Sequence, residues 1–272
     1  MGLQLPKKCF ISHAYADAEA RDRVITTLPP EVEPYVFPPI TVPPDQFVSN
    51  ELIQPLIECD ALIYLKGGAS DRSFWVAFER DYALRIGKMV VSADINTNEL
   101  APHSGGPLNL ATFASYHRQD SSRVRNISRF LKNERYFDLW VDIDELQPGQ
   151  RWDVTLKSSL EDRIKKGGYV VVFWSHSASE SKWVKSEIQN AAEGMKNIND
   201  RVLFASLDDA PVPDFWMQFY EPAVQIYGEN ERSATQRLDD LVVRLYWLIY
   251  RKTEQGRLEN PIDQVPQVPP PL

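Results

Sequence analysis

Short runs of consecutive apolar residues recur along the chain, each followed by a polar turn and then by a stretch with helical spacing. Residues 8–12, 35–37, 61–65 and 89–93 read as strands. Residues 17–28, 47–59 and 74–86 read as helices; Leu52, Leu56 and Ile57 share one side of the second, and the third stops near Gly87. Four prolines between 38 and 44 predict an extended loop, since proline removes a donor and fixes φ. Residues 66–73 form a Gly/Ser turn, and 96–107, polar with Gly105, Gly106 and two prolines, predict a linker. The same order then returns. Strands are predicted at 111–115, 137–141, 169–174, 202–207 and 223–227, and helices at 121–134, 152–165, 182–195 and 231–250. Val124, Ile127 and Leu131 share one face of the first of these helices, 142–150 is an acidic loop, and 175–181 is a polar turn.

Strands alternating with helices of this length predict α/β architecture, with parallel sheets covered by helices on both faces. The repeat is visible in the numbering. Trp75 and Trp183 lie 108 positions apart, as do Glu79 and Glu187, while Phe10 and Phe113 lie 103 apart. Loop-length variation accounts for that drift, and two homologous domains are expected, over 1–104 and 105–254. The remainder, 255–272, is Pro-rich and expected to be disordered.

A hydrophobic content of 43% with 11% aromatics is ample for packed cores. The net charge of −8 argues against a protein that grips nucleic-acid backbones, which needs basic patches. No apolar run approaches the roughly 20 residues that cross a bilayer, and no signal-peptide core opens the chain. Cys9 and Cys59 sit in apolar segments without zinc-like spacing and read as reduced core thiols of a cytoplasmic protein. No metal site, Gly-rich phosphate loop or nucleophile elbow is expected. His13 and His117 read as loop histidines, and 165–168 as a helix end with a glycine stop.

Three segments carry a resemblance. Phe113-Ala-Ser-Tyr116 leads into His-Arg-Gln-Asp120, and Asp138-Leu-Trp-Val-Asp-Ile-Asp-Glu-Leu-Gln-Pro-Gly149 follows. Ser181-Lys-Trp-Val-Lys-Ser-Glu187 is the third. In order and spacing they resemble the first strand, the BB loop and the third-helix "S-x-W-x-x-x-E" of bacterial TIR (Toll/interleukin-1 receptor) domains, over roughly 109–250. Over 7–94 the likeness is looser: Phe10-Ile-Ser-His13 and Ser73-Phe-Trp-Val-Ala-Phe-Glu79 match, but the second loop is proline-rich. The fifth strand and last helix of this half are expected to be replaced by the linker. The resemblance implies two flavodoxin-like TIR domains, the first divergent and shortened.

Members of that family cleave NAD+ at the nicotinamide–ribose bond or cyclise the ADP-ribose product, with the helix glutamate as catalytic residue. The resemblance therefore points to Glu187 and Glu79 as catalytic. Residues four apart share a helix face, so Trp183 and Trp75 would stack on a base beside the carboxylates. Asp144 would contact ribose, Phe113, Ser115 and Tyr116 would line the floor, and Arg118 would meet phosphate or ribose. Nicotinamide leaves as a neutral molecule and needs no general acid, so one carboxylate beside the oxocarbenium-like transition state can suffice. No cofactor is implied, because NAD+ is the substrate. Thoeris-type anti-phage defence is the implied setting, with a nucleotide product signalling to a downstream effector. The alternative is a non-catalytic adaptor or virulence effector acting through TIR–TIR self-association. A phosphorylation receiver needs acidic residues clustered at the end of the first strand, and neither Ser12-His13 nor Ser115-Tyr116 supplies them. The first half is either a second site or the partner that completes the other.

Overall fold

The computed structural model describes residues 3–38, 49–108, 111–141, 168–180, 201–211, 224–227 and 233–253. The proline loop past 38, the start of the helix at 47, the acidic loop at 142–150, the helices expected at 152–165 and 182–195, and the tail lie outside them. The chain divides into two compact units between Leu108 and Asn109.

In the first unit, β1 (Lys8–Ser12), β2 (Glu33–Val36), β3 (Ala61–Lys66) and β4 (Met89–Asp94) pair in parallel. The sheet runs β2-β1-β3-β4-β5, with β5 (Leu100–Pro102) antiparallel at the edge. Strand periodicity of two sorts the side chains. Cys9, Ile11, Ala61, Ile63, Leu65, Val91 and Ala93 face one way, and Ala20 and Val24 of α1 (Ala18–Thr27), one turn apart, close that core. Each fully buried Val, Leu or Ile there contributes roughly 1.5–3 kcal/mol. Among the described side chains of α2 (Ser49–Glu58), Leu52, Ile53 and Leu56 are buried and Ile57 is half-buried. The alternate positions, Phe10, Ser12, Leu62 and Tyr64, face α3 (Phe74–Arg85), which packs on β1, β3 and β4. Phe74, Phe78 and Tyr82 stack along that helix at centroid spacings of 6.1 and 5.6 Å.

The first half of the segment expected to be a linker, up to Pro102, is instead structured. The Asp94 carboxylate accepts from the backbone N–H of Asn96 (2.9 Å) and Thr97 (3.2 Å). Asn98 takes a left-handed φ of 59°, which asparagine tolerates better than most residues. The chain then doubles back as β5, so a fifth strand is present, but antiparallel. Pro102 fits because an edge strand can spare a donor. Pattern reading missed β5 because three residues are too few to show a period. Residues 103–108 carry no helix.

In the second unit, β6 (Thr112–Tyr116), β7 (Leu139–Trp140), β8 (Tyr169–Trp174), β9 (Val202–Ser206) and β10 (Val224–Gln225) form a sheet in the order β10-β9-β8-β6-β7. Every pairing is parallel. β8 and β9 are buried along their whole length, which explains their unbroken apolar runs. α4 (Ser121–Arg135) packs on β6 and β7 with Val124, Ile127 and Leu131 buried, as its spacing predicts. It stops at Tyr136, whose φ of 55° is left-handed. The polar turn expected after β8 holds a five-residue helix, His176–Glu180. The final helix, Ala234–Thr253, is buried at every position from Leu245 to Tyr250.

In both units the first strand lies between the second and third. That is the flavodoxin-like order, and it places a topological switch point between the first and third strands at the carboxyl edge of the sheet.

Candidate functional site

Crevices at switch points receive ligands in open α/β sheets. In the second unit this edge is formed by the ends of β6 and β8. Phe113, Ser115 and Tyr116 come from β6, and Arg118 from the turn after it. Thr112 and Ala114 are buried, whereas Phe113, Ser115 and Tyr116 are half-buried and Arg118 is exposed. Alternation puts Phe113 and Ser115 on one face and Tyr116 on the other, so the strand does not present all three as one floor. Phe113 meets Trp140 edge-on at 5.7 Å. Glu187, Trp183 and Asp144 lie outside the described residues.

The first unit shows the repeated Trp/Glu spacing in a closed setting. Ser73 caps α3 by accepting the Val76 N–H at 3.4 Å, which aims the next turns of the helix at the sheet. Glu79 is buried, at 6% exposure. Desolvation pushes its carboxyl up to about 8, and the nearby Ser12 hydroxyl opposes the shift only in part. Ser12 Oγ is itself buried, without a partner at hydrogen-bonding geometry among the described residues. Among the described residues no cation compensates Glu79, so it holds its proton at neutral pH. Trp75, one turn earlier, makes edge contacts with Phe74 (5.3 Å) and Phe78 (6.3 Å). Its ring is engaged within its own helix.

Ser12 was missed by sequence reasoning, yet the signal was available. The 103-residue shift that relates Phe10 to Phe113 also relates Ser12 to Ser115. The two serines differ in setting: Ser12 is 1% exposed, and Ser115 is half-buried. At the same edge, His13 contacts Arg21 through Nε2 at 3.0 Å. Burial, then the Arg21 charge, hold its imidazole below the usual range.

One group of side chains among the described residues has metal-ligand character. His176, Asp208 and Asp209 bring ligand atoms within 4.8 Å of one another beyond the ends of β8 and β9. His176 Nδ1 already lies 3.2 Å from Asp208 and 3.7 Å from Asp209, so the cluster is accounted for by its own ion pairing when the imidazole is protonated.

Comparison with protein families places residues 113–241 within a model described as "TIR domain". A TIR domain occupies this span. It begins at Phe113 on β6 and ends at Leu241 in the final helix, so the TIR domain takes in Asp144, Trp183 and Glu187 by position and leaves out Trp75 and Glu79. A curated relative, "Uncharacterized protein y4cD" of Sinorhizobium fredii (strain NBRC 101917 / NGR234), is 25% identical over 142 residues. That alignment covers 48% of this chain and 21% of the relative, so the likeness extends over about a fifth of that protein. Among the described residues no helix is long and apolar enough to cross a membrane.

Proposed function

We propose that the TIR domain at 113–241 is an NAD+ nucleosidase that breaks the nicotinamide–ribose bond. The observation that carries this reading is the carboxyl edge of β6 inside the TIR span, where Ser115 is half-buried and Arg118 is exposed. Glu187, opened by the Ser181–Trp183 motif on the same span, is the catalytic carboxylate in this proposal. The C1′–N bond breaks, nicotinamide departs with the electron pair, and the carboxylate steadies the oxocarbenium-like ribose. Water then adds at C1′ and loses a proton to give ADP-ribose, or a hydroxyl of the same molecule adds to give a cyclic product. Trp183 stacks on a base, Asp144 and Arg118 hold ribose or phosphate, and the product serves as a signal in bacterial anti-phage immunity. The first unit is proposed as a divergent TIR-like copy, on the strength of its strand order and of Trp75 and Glu79.

Following nicotinamide release from NAD+ tests this directly. Glu187→Ala is expected to lower the rate by at least about 100-fold, the scale of removing one electrostatic stabiliser. Undiminished release from that variant would sink the assignment. A second reading, self-association without catalysis, draws on Tyr136 and Trp140, which are 50% and 39% exposed, with Trp140 on edge strand β7. Absence of NAD+ binding together with a Trp140-dependent dimer would favour it.

A further inference from the structure

Both units contain the same hydrogen-bonded clasp across the switch point. In the second unit, Ser175, the residue after β8, donates from Oγ to Asp120 Oδ2 at 2.6 Å. Asp120 ends the turn after β6, where its N–H donates to His117 O at 2.8 Å. Ser175 Oγ also accepts from Ala178 N at 3.1 Å, so one hydroxyl caps the following helix and holds the aspartate. In the first unit, Ser70, after β3, donates from Oγ to Asp17 Oδ2 at 2.6 Å, and Asp17 N donates to Ala14 O at 2.8 Å. Asp17 and Asp120 are 103 positions apart, the same shift as Ser12 to Ser115. The first clasp is reinforced: Ser70 N donates to Asp17 Oδ2 at 2.7 Å, Ala69 N to Oδ1 at 3.3 Å, and Ala14 N to Ser70 Oγ at 3.0 Å. Gly68 permits the approach, since a Cβ there would lie 2.6 Å from Asp17 Oδ1.

The clasp joins the turn leaving the first strand to the turn leaving the third, the two segments that flank the crevice. The bond is charge-assisted, and Ser175 is 1% exposed, so water competes little for it. Arg118 sits inside the turn that Asp120 closes, and Ser175 opens the chain that runs on toward Ser181 and Glu187. We infer that Asp120 and Ser175 are positioning residues of the TIR domain's site, fixing the Arg118 turn against the start of the helix at 176–180. The inference rests on the proposed NAD+ reading for its kinetic consequence, and on geometry alone for the coupling of the two turns.

The test uses the full chain with Ser175→Ala, Asp120→Ala, the double variant, and Asp120→Asn, whose amide oxygen still accepts from Ser175. Amide hydrogen exchange over residues 116–120 without ligand is measured beside KM and kcat for NAD+. The two alanine variants are expected to exchange faster and to raise KM by about tenfold each, with the double variant no worse than either and kcat within about twofold. Asp120→Asn is expected to stay near the parent protein. Unchanged exchange, additive effects, or an activity loss that follows only the fraction unfolded would each overturn the inference. A parent protein that releases no nicotinamide sinks the functional reading instead, and the exchange result then decides the clasp.

Discussion

Glu79 is a carboxyl placed where its charge is not supported. Burial raises it from the ordinary 4.5 to about 8, so the folded state binds its proton more tightly than the unfolded chain does. The stability this group contributes is full below about pH 4.5 and is lost as pH rises toward and through 8. By pH 7 the loss is on the order of 3 kcal/mol. Glu79→Gln keeps the shape and removes the titration. Its urea midpoint should match the parent protein near pH 4 and exceed it increasingly up to pH 8; a gap independent of pH would mean that Glu79 is charged or solvated in the folded state. The thiols at Cys9 and Cys59 follow the same logic without a site. Both are buried, and desolvation, the largest cause for each, lifts Cys9 to about 11 and raises Cys59. They are unreactive core residues.

Among the elements, α4 and the final helix are held by an ion pair in the interior. Arg135 Nε lies 2.5 Å from Asp239 Oδ1, and Nη2 lies 3.4 Å from Oδ2, with Asp239 fully buried. Desolvation raises the Asp239 carboxyl and Arg135 opposes it, so deleting the arginine strands a buried acid. Arg135→Ala should cost about 3–5 kcal/mol in denaturant melts, while Arg135→Met with Asp239→Leu should fall near the parent protein. A single variant as mild as the pair would show that Asp239 finds another partner. Elements of this kind were legible in sequence where the period was long: β8 matches its predicted bounds, and the Val124, Ile127, Leu131 stripe faces the core. Short elements were not legible. β5 depends on an Asp94 turn and an edge position, and the helix at 176–180 depends on the Ser175 cap. Of the residues the motifs point to, Phe113 and Ser115 lie on one face of β6 and Arg118 in the turn after it. The burial of Glu79 was not legible, since a four-residue spacing fixes a helix face but not what covers it.

At the scale of the whole molecule, two units share one strand order and one clasp yet differ in how open the first strand is. Ser12 is sealed beside a neutral Glu79, whereas Ser115 is half-buried at an edge that also presents Arg118. Stabilising an oxocarbenium-like ribose requires an anionic carboxylate. At pH 7 that requirement disfavours the first unit, because a group near 8 is about one-tenth ionised. Glu79→Gln should therefore change nicotinamide release at pH 7 by no more than about threefold, while Glu187→Ala abolishes most of it. The informative measurement is the pH profile of whatever remains in Glu187→Ala. If Glu79 contributes, that residue of activity should climb about tenfold per pH unit from 6 toward 8 and level off above it, and Glu79→Gln should remove it. A profile flat across this range, or one that survives the double variant, would exclude Glu79 from the reaction.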